Sequence, residues 1–245
     1  MIAALLVAAL ALAAPASPPA LPDMTPRNAT KWLLLHGDIA ELSVHAEANR
    51  VLIASGDRRR RVVLLGDSIT ARWPAELLPE LGAVHMVNRG IPGQNTVQML
   101  LRFEDDVAAL APAAVAILAG TNDLRIFSRP ARPDTAMAQI ARNVTAMADI
   151  ADARRIRVIL CAIPPVGVGA AGRSRDPASI VAANDWLRSF AAARGYGFVD
   201  VHGTLADGGG LLAPEHTSDG LHLTPAAYRK VTAQLREALD AALAR

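Results

Sequence analysis

The feature that most limits what this chain can fold into is an alternation. Short runs that are apolar at almost every position recur between longer amphipathic stretches. Val62–Leu65, Val84–Val87, Val115–Leu118 and Val158–Ile163 are four such runs, and Phe198–Val201 is a candidate fifth. A strand with one wet face alternates apolar and polar residues. A strand that is apolar throughout is covered on both faces, as in a parallel sheet between helices. The stretches near 96–110, 135–155, 178–194 and about 225–243 carry apolar residues at helical spacing. The pattern predicts an α/β fold around a mostly parallel five-stranded sheet, with no internal repeat. Right-handed crossovers bring the C-terminal ends of all strands to one edge, and open α/β sheets bind their ligands along that edge. Functional residues are therefore expected just after strands.

The N-terminus reads differently. Ile2 to Ala14 is an uninterrupted apolar run, followed by Pro15, Ala16, Ser17, Pro18 and Pro19. A membrane span needs about 20 residues, whereas a run of this length suits the core of an export signal, with Ala14-Pro15-Ala16 as a small-x-small cleavage site. Residues 1–20 are thus expected to be a signal peptide or N-terminal anchor, and the protein periplasmic or secreted. Residues 21–57 read as a linker and N-terminal helices, with Trp32, Leu35, Ile39, Leu42 and Val51 at helical spacing and an end near Gly56. Residues 58–245 remain for one large domain. No other segment is apolar enough to span a bilayer, so no stable membrane span is expected after processing.

Composition narrows the partners. Aromatic residues make up 4 % of the chain, which argues against a groove that stacks single-stranded nucleic acid. Net charge is +2, and the one basic run, Arg58–Arg61, reads as the solvated entry to the first strand. No nucleic-acid partner is expected. Cys161 is the single cysteine and lies in an apolar run, where a buried, inert thiol is the expected state.

Four polar clusters carry the candidate chemistry. Gly66-Asp67-Ser68 follows the first strand, Asn88-Arg89-Gly90-Ile91-Pro92-Gly93-Gln94 the second, and Gly120-Thr121-Asn122-Asp123 the third. Asp219-Gly220-Leu221-His222 precedes the last helix. Together they hold each part that acyl transfer requires. A serine hydroxyl needs a base to take its proton, and Ser68 stands between a strand and a helix; the plainer role for Asp67 or Ser68 there is a helix cap. His222 is the candidate base, and Asp219, three residues earlier in the same loop, would orient its ring. The Gly90 N–H, the Asn122 amide and the Ser68 N–H are candidate donors to an oxyanion. A metal site built from Asp67, Asp123, Asp219 and His222 is one alternative reading, but no His-x-x-x-His or paired-cysteine spacing supports it. No Gly-rich phosphate loop follows the first strand, so a flavin or nucleotide cofactor is not expected either. Neither cofactor nor metal is anticipated.

The set Gly66-Asp67-Ser68, Gly90, Asn122 and Asp219-x-x-His222 resembles the SGNH hydrolase superfamily, also called GDSL esterases. The match covers about residues 60–243, with four blocks in the family's order. The resemblance implies a flavodoxin-like three-layer α/β/α sandwich. It implies Ser68 as nucleophile, His222 as base, Asp219 as its partner, and Ser68, Gly90 and Asn122 as the oxyanion hole. The segments Gly66–Trp73, Asn88–Gln94 and Gln98–Phe103 look like bacterial exported acylhydrolases, relatives of platelet-activating-factor acetylhydrolase and of carbohydrate acetylesterases. The implied substrate is a small-molecule or carbohydrate ester, first of all a short acyl group such as acetyl. Lysophospholipase or thioesterase activity, or a catalytically silent carbohydrate-binding member, are the alternatives. The segments 124–134 and 164–177, rich in Arg, Pro and Gly, are expected at the pocket rim.

Overall fold

The apolar runs become five strands: β1 (Arg61–Gly66), β2 (His85–Gly90), β3 (Ala114–Leu118), β4 (Arg157–Cys161) and β5 (Gly197–Val199). Every neighbouring pair is parallel, in the order β2-β1-β3-β4-β5. The computed structural model describes residues 37–57, 59–81, 84–125, 133–169 and 171–244. The helices are α1 (Ser43–Ala54), α2 (Ser68–Ala71), α3 (Thr96–Leu101), α4 (Phe103–Asp106), α5 (Pro133–Ala153), α6 (Pro177–Arg194), α7 (Val201–Leu205) and α8 (Pro225–Leu243). The proposed export segment, with Trp32 and Leu35, lies outside the described residues.

Burial on both faces explains the unbroken apolar runs. Val63, Leu65, Val115, Ile117, Val158 and Leu160 point into one core, where Met99, Phe103, Ile140, Val144, Ile180 and Leu187 of α3, α4, α5 and α6 meet them. The intervening residues Val62, Leu64, Ala116, Leu118 and Ile159 point into the other, against Ile69, Trp73, Tyr228, Val231 and Leu235. These are the three layers the alternation implies, since successive strand side chains face opposite ways. Cys161 is buried in the second core, where burial pushes its thiol up to about 12.

The strand order changes direction at β1, whose neighbours are β2 and β3. A crevice therefore opens beyond the C-terminal ends of β1 and β3, the point where such sheets bind ligands. Gly66 ends β1 and pairs in register with Gly90 on one side and Leu118 on the other.

The structure departs from the sequence reading in three places. The polar residues Asn88, Arg89 and Gly90 belong to β2 and do not follow it; an edge strand needs a ladder partner on one side only, and β1 supplies it through Gly66. The stretch 96–110 is broken into α3, α4 and a 3₁₀ turn at Ala108–Leu110. The break falls at Arg102, whose side chain is fully buried. In the N-terminal helical region, Ile39, Leu42 and Val51 are 44 %, 39 % and 52 % exposed, although their spacing suggested a core face. The buried residue of α1 is Asn49. It donates to Asp105 O (3.1 Å) and Asp106 Oδ1 (2.6 Å) and accepts from Arg89 Nε (2.8 Å). α1 thus docks against α4 and β2 through the hydrogen bonds of Asn49, with Leu52 partly buried against the core.

Candidate active site

β1 ends at Gly66, and the chain turns through Asp67 into the four-residue α2, which Ser68 begins. Asp67 takes the capping role: its Oδ1 accepts from Ile69 N at 2.9 Å. Ser68 Oγ is left to meet His222 Nε2 at 3.1 Å, across 154 positions of sequence. Capping and the serine contact therefore coexist, on adjacent residues.

His222 Nδ1 lies 2.6 Å from Asp219 Oδ2. A carboxylate only accepts, so Nδ1 carries the hydrogen and Nε2 presents a lone pair to Ser68. The loop holds this arrangement itself. His222 N and Leu221 N donate to Asp219 Oδ1 at 2.8 and 2.9 Å, and Gly220 N donates to Thr217 Oγ1 at 3.0 Å. Partial burial pushes the Asp219 carboxyl up, but the His222 ring and these backbone donors outweigh it and hold the group well below the usual carboxylate range. Thr224 then caps α8, with Pro225 at its first position.

What brings this loop to Ser68 is α8. Tyr228 Oη donates to Ile69 O at 2.6 Å, and Trp73 Nε1 donates to Thr232 Oγ1 at 3.1 Å. Both bonds are buried and clamp α8 against the segment that carries the serine. For Tyr228 and Thr232 the sequence carries no signal of this role, since their spacing marks them only as core residues of an amphipathic helix.

Asn122 lies on the loop after β3, within reach of Asp67, the residue before Ser68. Its Nδ2 donates to Gln94 O (3.0 Å) and Asp67 Oδ2 (3.3 Å), and its Oδ1 accepts from Arg175 Nη2 (2.8 Å). Asp67 is fully buried, and desolvation raises its carboxyl to about 6 against the opposing Ile69 N–H and the Arg175 charge. Asp123 accepts from Thr96 N (3.0 Å) and Thr96 Oγ1 (2.5 Å), and burial raises its carboxyl too. Both aspartates thus brace loops. Among the described residues, no group of three or more His, Cys, Asp or Glu side chains is arranged to hold a metal ion.

Gly90 is an expected backbone donor whose N–H has a partner within its own strand. Its N–H already donates to Asn88 Oδ1 at 2.9 Å, and the residue is buried. A Cβ there would lie 2.1 Å from Ala71 N, so glycine is required for β2 to pass close to α2. Three residues on, Gly93 is exposed and has φ +84°. It follows Pro92 in a turn closed by Gln94 N to Ile91 O (3.4 Å), where a positive φ favours glycine. Neither the Gly93 N–H nor the Ser68 N–H donates to a protein acceptor among the described residues. This loop is pinned from below: Arg102 donates to Gln94 Oε1 (2.6 Å), Gly66 O (3.0 Å) and Asp106 Oδ2 (2.8 Å).

Of the expected rim, 126–132 lies outside the described residues. The other rim segment abuts the histidine loop, since Gly167 N donates to Gly220 O at 2.8 Å. A cavity of about 540 Å³ opens at the opposite end of the sheet, beside Arg157 and Gly197 at the starts of β4 and β5, and no candidate site residue lines it.

The sheet is parallel and covered by helices on both faces, and Ser68, His222 and Asp219 meet beyond the C-terminal end of β1. Residues 64–230 match the model of the GDSL-like lipase/acylhydrolase family, and the chain belongs to that family of ester hydrolases. A GDSL-like lipase from Bacteroides thetaiotaomicron VPI-5482 is 31 % identical, with a TM-score of 0.72 over 84 % of this chain and 100 % of that one. A lipase/acylhydrolase from Enterococcus faecalis is 25 % identical, with a TM-score of 0.61 over 74 % of this chain and 96 % of that one. An acetyl xylan esterase from Geobacillus stearothermophilus shares the fold at 19 % identity, with a TM-score of 0.60 over 74 % of this chain and 94 % of that one. No curated protein matches the chain. No helix among the described residues is long and apolar enough to cross a membrane.

Proposed function

We propose that the protein is a serine esterase that hydrolyses short-chain carboxylic esters, acetyl groups on carbohydrates first among them, through an acyl-enzyme on Ser68. The observation that carries this reading is the continuous relay from Ser68 Oγ to His222 Nε2 (3.1 Å) and from His222 Nδ1 to Asp219 Oδ2 (2.6 Å). Ser68 attacks the ester carbonyl while His222 takes its proton, and Asp219 stabilises the imidazolium. The tetrahedral oxyanion is received by the Ser68 N–H, the Gly93 N–H in place of Gly90, and Asn122 Nδ2. The hydrogen Asn122 directs at Asp67, in the longer of its two contacts, is the one that turns to the oxyanion. Collapse releases the alcohol, and water activated by His222 then frees the acid and regenerates Ser68.

An acetyl xylan esterase on the same fold supports the acetyl reading. A longer acyl chain would find an apolar contact in Val168, which is 85 % exposed and stands between Gly167 and Gly169, both in close contact with the Asp219–Gly220 backbone. Export rests on the apolar run Ile2–Ala14, and N-terminal sequencing of the mature protein tests it. The substrate test is a p-nitrophenyl ester series from acetate to laurate, run beside acetylated xylan and lysophosphatidylcholine. The proposal expects kcat/KM to be highest at acetate and acetate to be released from xylan. A maximum at long chains would replace it with a lipase reading.

A further inference from the structure

Arg175 is a buried arginine that contacts no carboxylate at ion-pair distance among the described residues. All three of its side-chain nitrogens are engaged. Nε donates to Thr121 O (2.7 Å), Nη2 to Asn122 Oδ1 (2.8 Å), and Nη1 to Ala171 O (3.0 Å) and Ser174 Oγ (3.0 Å). Burying a cation without a counter-ion is costly, and burial lowers this guanidinium to about 10, with Arg125 adding to the effect and Asp67 and Asp219 opposing it. A neutral side chain could hold a loop carbonyl more cheaply. The placement points to a task that requires the charge.

We infer that Arg175 is a positioning residue for the oxyanion site, holding and polarising the Asn122 amide. The inference rests on the reading of Asn122 as an oxyanion donor. Two physical effects follow from the geometry. The first is orientation. Were the Asn122 amide flipped, its NH₂ would face the guanidinium, donor against donor, and Gln94 O and Asp67 Oδ2 would face an oxygen. Arg175 therefore forces Nδ2 to the side where Gln94, Asp67 and the serine block lie. The second is strength. A cation on an amide oxygen draws electron density from the nitrogen, so the Nδ2–H bonds become better donors to a developing negative charge. The planar fork spans Thr121 O and Asn122 Oδ1 at once, which a lysine ammonium cannot reproduce. An antiparallel bridge between Arg125 and Arg175 joins the two loops that carry the pair.

Arg175 lies in the segment 164–177 expected at the pocket rim. Its segment also abuts the histidine loop, since a Cβ on Gly172 would meet Gly220 O at 2.5 Å. Loss of Arg175 therefore threatens His222 as well as Asn122, and the test must separate the two.

A double-mutant cycle does so. Wild type, Asn122→Ala, Arg175→Met and the double variant are assayed with p-nitrophenyl acetate, and each is melted. Asn122→Ala is expected to lower kcat about 100-fold, the scale of a single lost oxyanion donor. Arg175→Met should lower kcat about 30-fold with KM within about threefold of wild type. In the Asn122→Ala background the same change should cost less than about threefold, because the group it acts through is gone. An equal loss in both backgrounds, or no loss in wild type, overturns the inference. A wild-type rate for Asn122→Ala instead overturns the oxyanion reading beneath it. Should Arg175→Met fail to fold, Arg175→Lys completes the same cycle, with an expected loss of about tenfold confined to the Asn122 background.

Discussion

On one flank of Ser68, Asp219 and His222 stand three residues apart in a single loop, and the carboxylate is satisfied by the ring and by backbone N–H groups within that loop. On the other flank, Asn122 is held by three distant segments: the Gln94 carbonyl, the Asp67 carboxylate and the Arg175 guanidinium. The Asp219 and His222 side chains keep 39 % and 19 % of their surface exposed, whereas Asp67 and Arg175 are buried. The contrast fits the two tasks proposed for the flanks. Moving a proton needs one ring that can pivot over a short distance. Stabilising an oxyanion needs donors fixed before the charge appears, so that no reorganisation is required at the moment of reaction. Variants on the histidine flank should therefore lose rate and keep stability, and variants on the asparagine flank should lose both.

The largest effect expected is on the histidine flank. His222→Ala should lower kcat/KM for p-nitrophenyl acetate by about 10⁴-fold or more, with a melting temperature within about 4 °C of the parent. Asp219→Asn should cost less, about 10²- to 10³-fold, because the base survives in a poorer orientation. Equal losses, or a large fall in melting temperature, would erase the distinction between the flanks.

Next come the two glycines. Gly90→Ala forces a Cβ to within 2.1 Å of Ala71 N, so about 3 kcal/mol or more of stability should be lost, read by urea unfolding. Gly93→Ala meets open space but must hold φ +84°, a strain of about 1–2 kcal/mol, and should lower kcat about tenfold by shifting the donor. If Gly90→Ala folded normally and lost activity alone, Gly90 would return to the oxyanion hole.

The remaining prediction concerns pH-dependent stability. Asp67 titrates near 6 in the folded protein, against about 3.9 in the unfolded chain. Between these values the folded state holds the extra proton, so stability falls as pH rises from about 4 to about 6, by about 3 kcal/mol at most. Asp67→Asn should remove most of that slope, and an unchanged slope would show that Asp67 is better solvated than its burial implies.

The same contrast decided what could be read in the sequence. The strands were legible because burial on both faces leaves runs such as Val62–Leu65 and Val115–Leu118 without polar interruption. Asp219 and His222 were legible because their partnership is local, an i, i+3 spacing ahead of a capped helix. Tyr228 and Arg175 were not, since their roles exist only once α8 and the 171–176 segment have been folded against α2 and Asn122. The choice between Gly90 and Gly93 was equally hidden, because nothing in the order of residues reveals which N–H is already engaged. Asn49 shows the converse: apolar spacing in α1 pointed to Val51, and a hydrogen-bonded amide took the inner face.

The nucleophile role proposed for Ser68 underlies every step. Its most direct test is intact-protein and peptide mass spectrometry after treatment with a fluorophosphonate. A single phosphonyl adduct on Ser68, absent from Ser68→Ala and accompanied by complete loss of ester hydrolysis, is the predicted result. An adduct on another residue, or near-wild-type hydrolysis by Ser68→Ala, would contradict it.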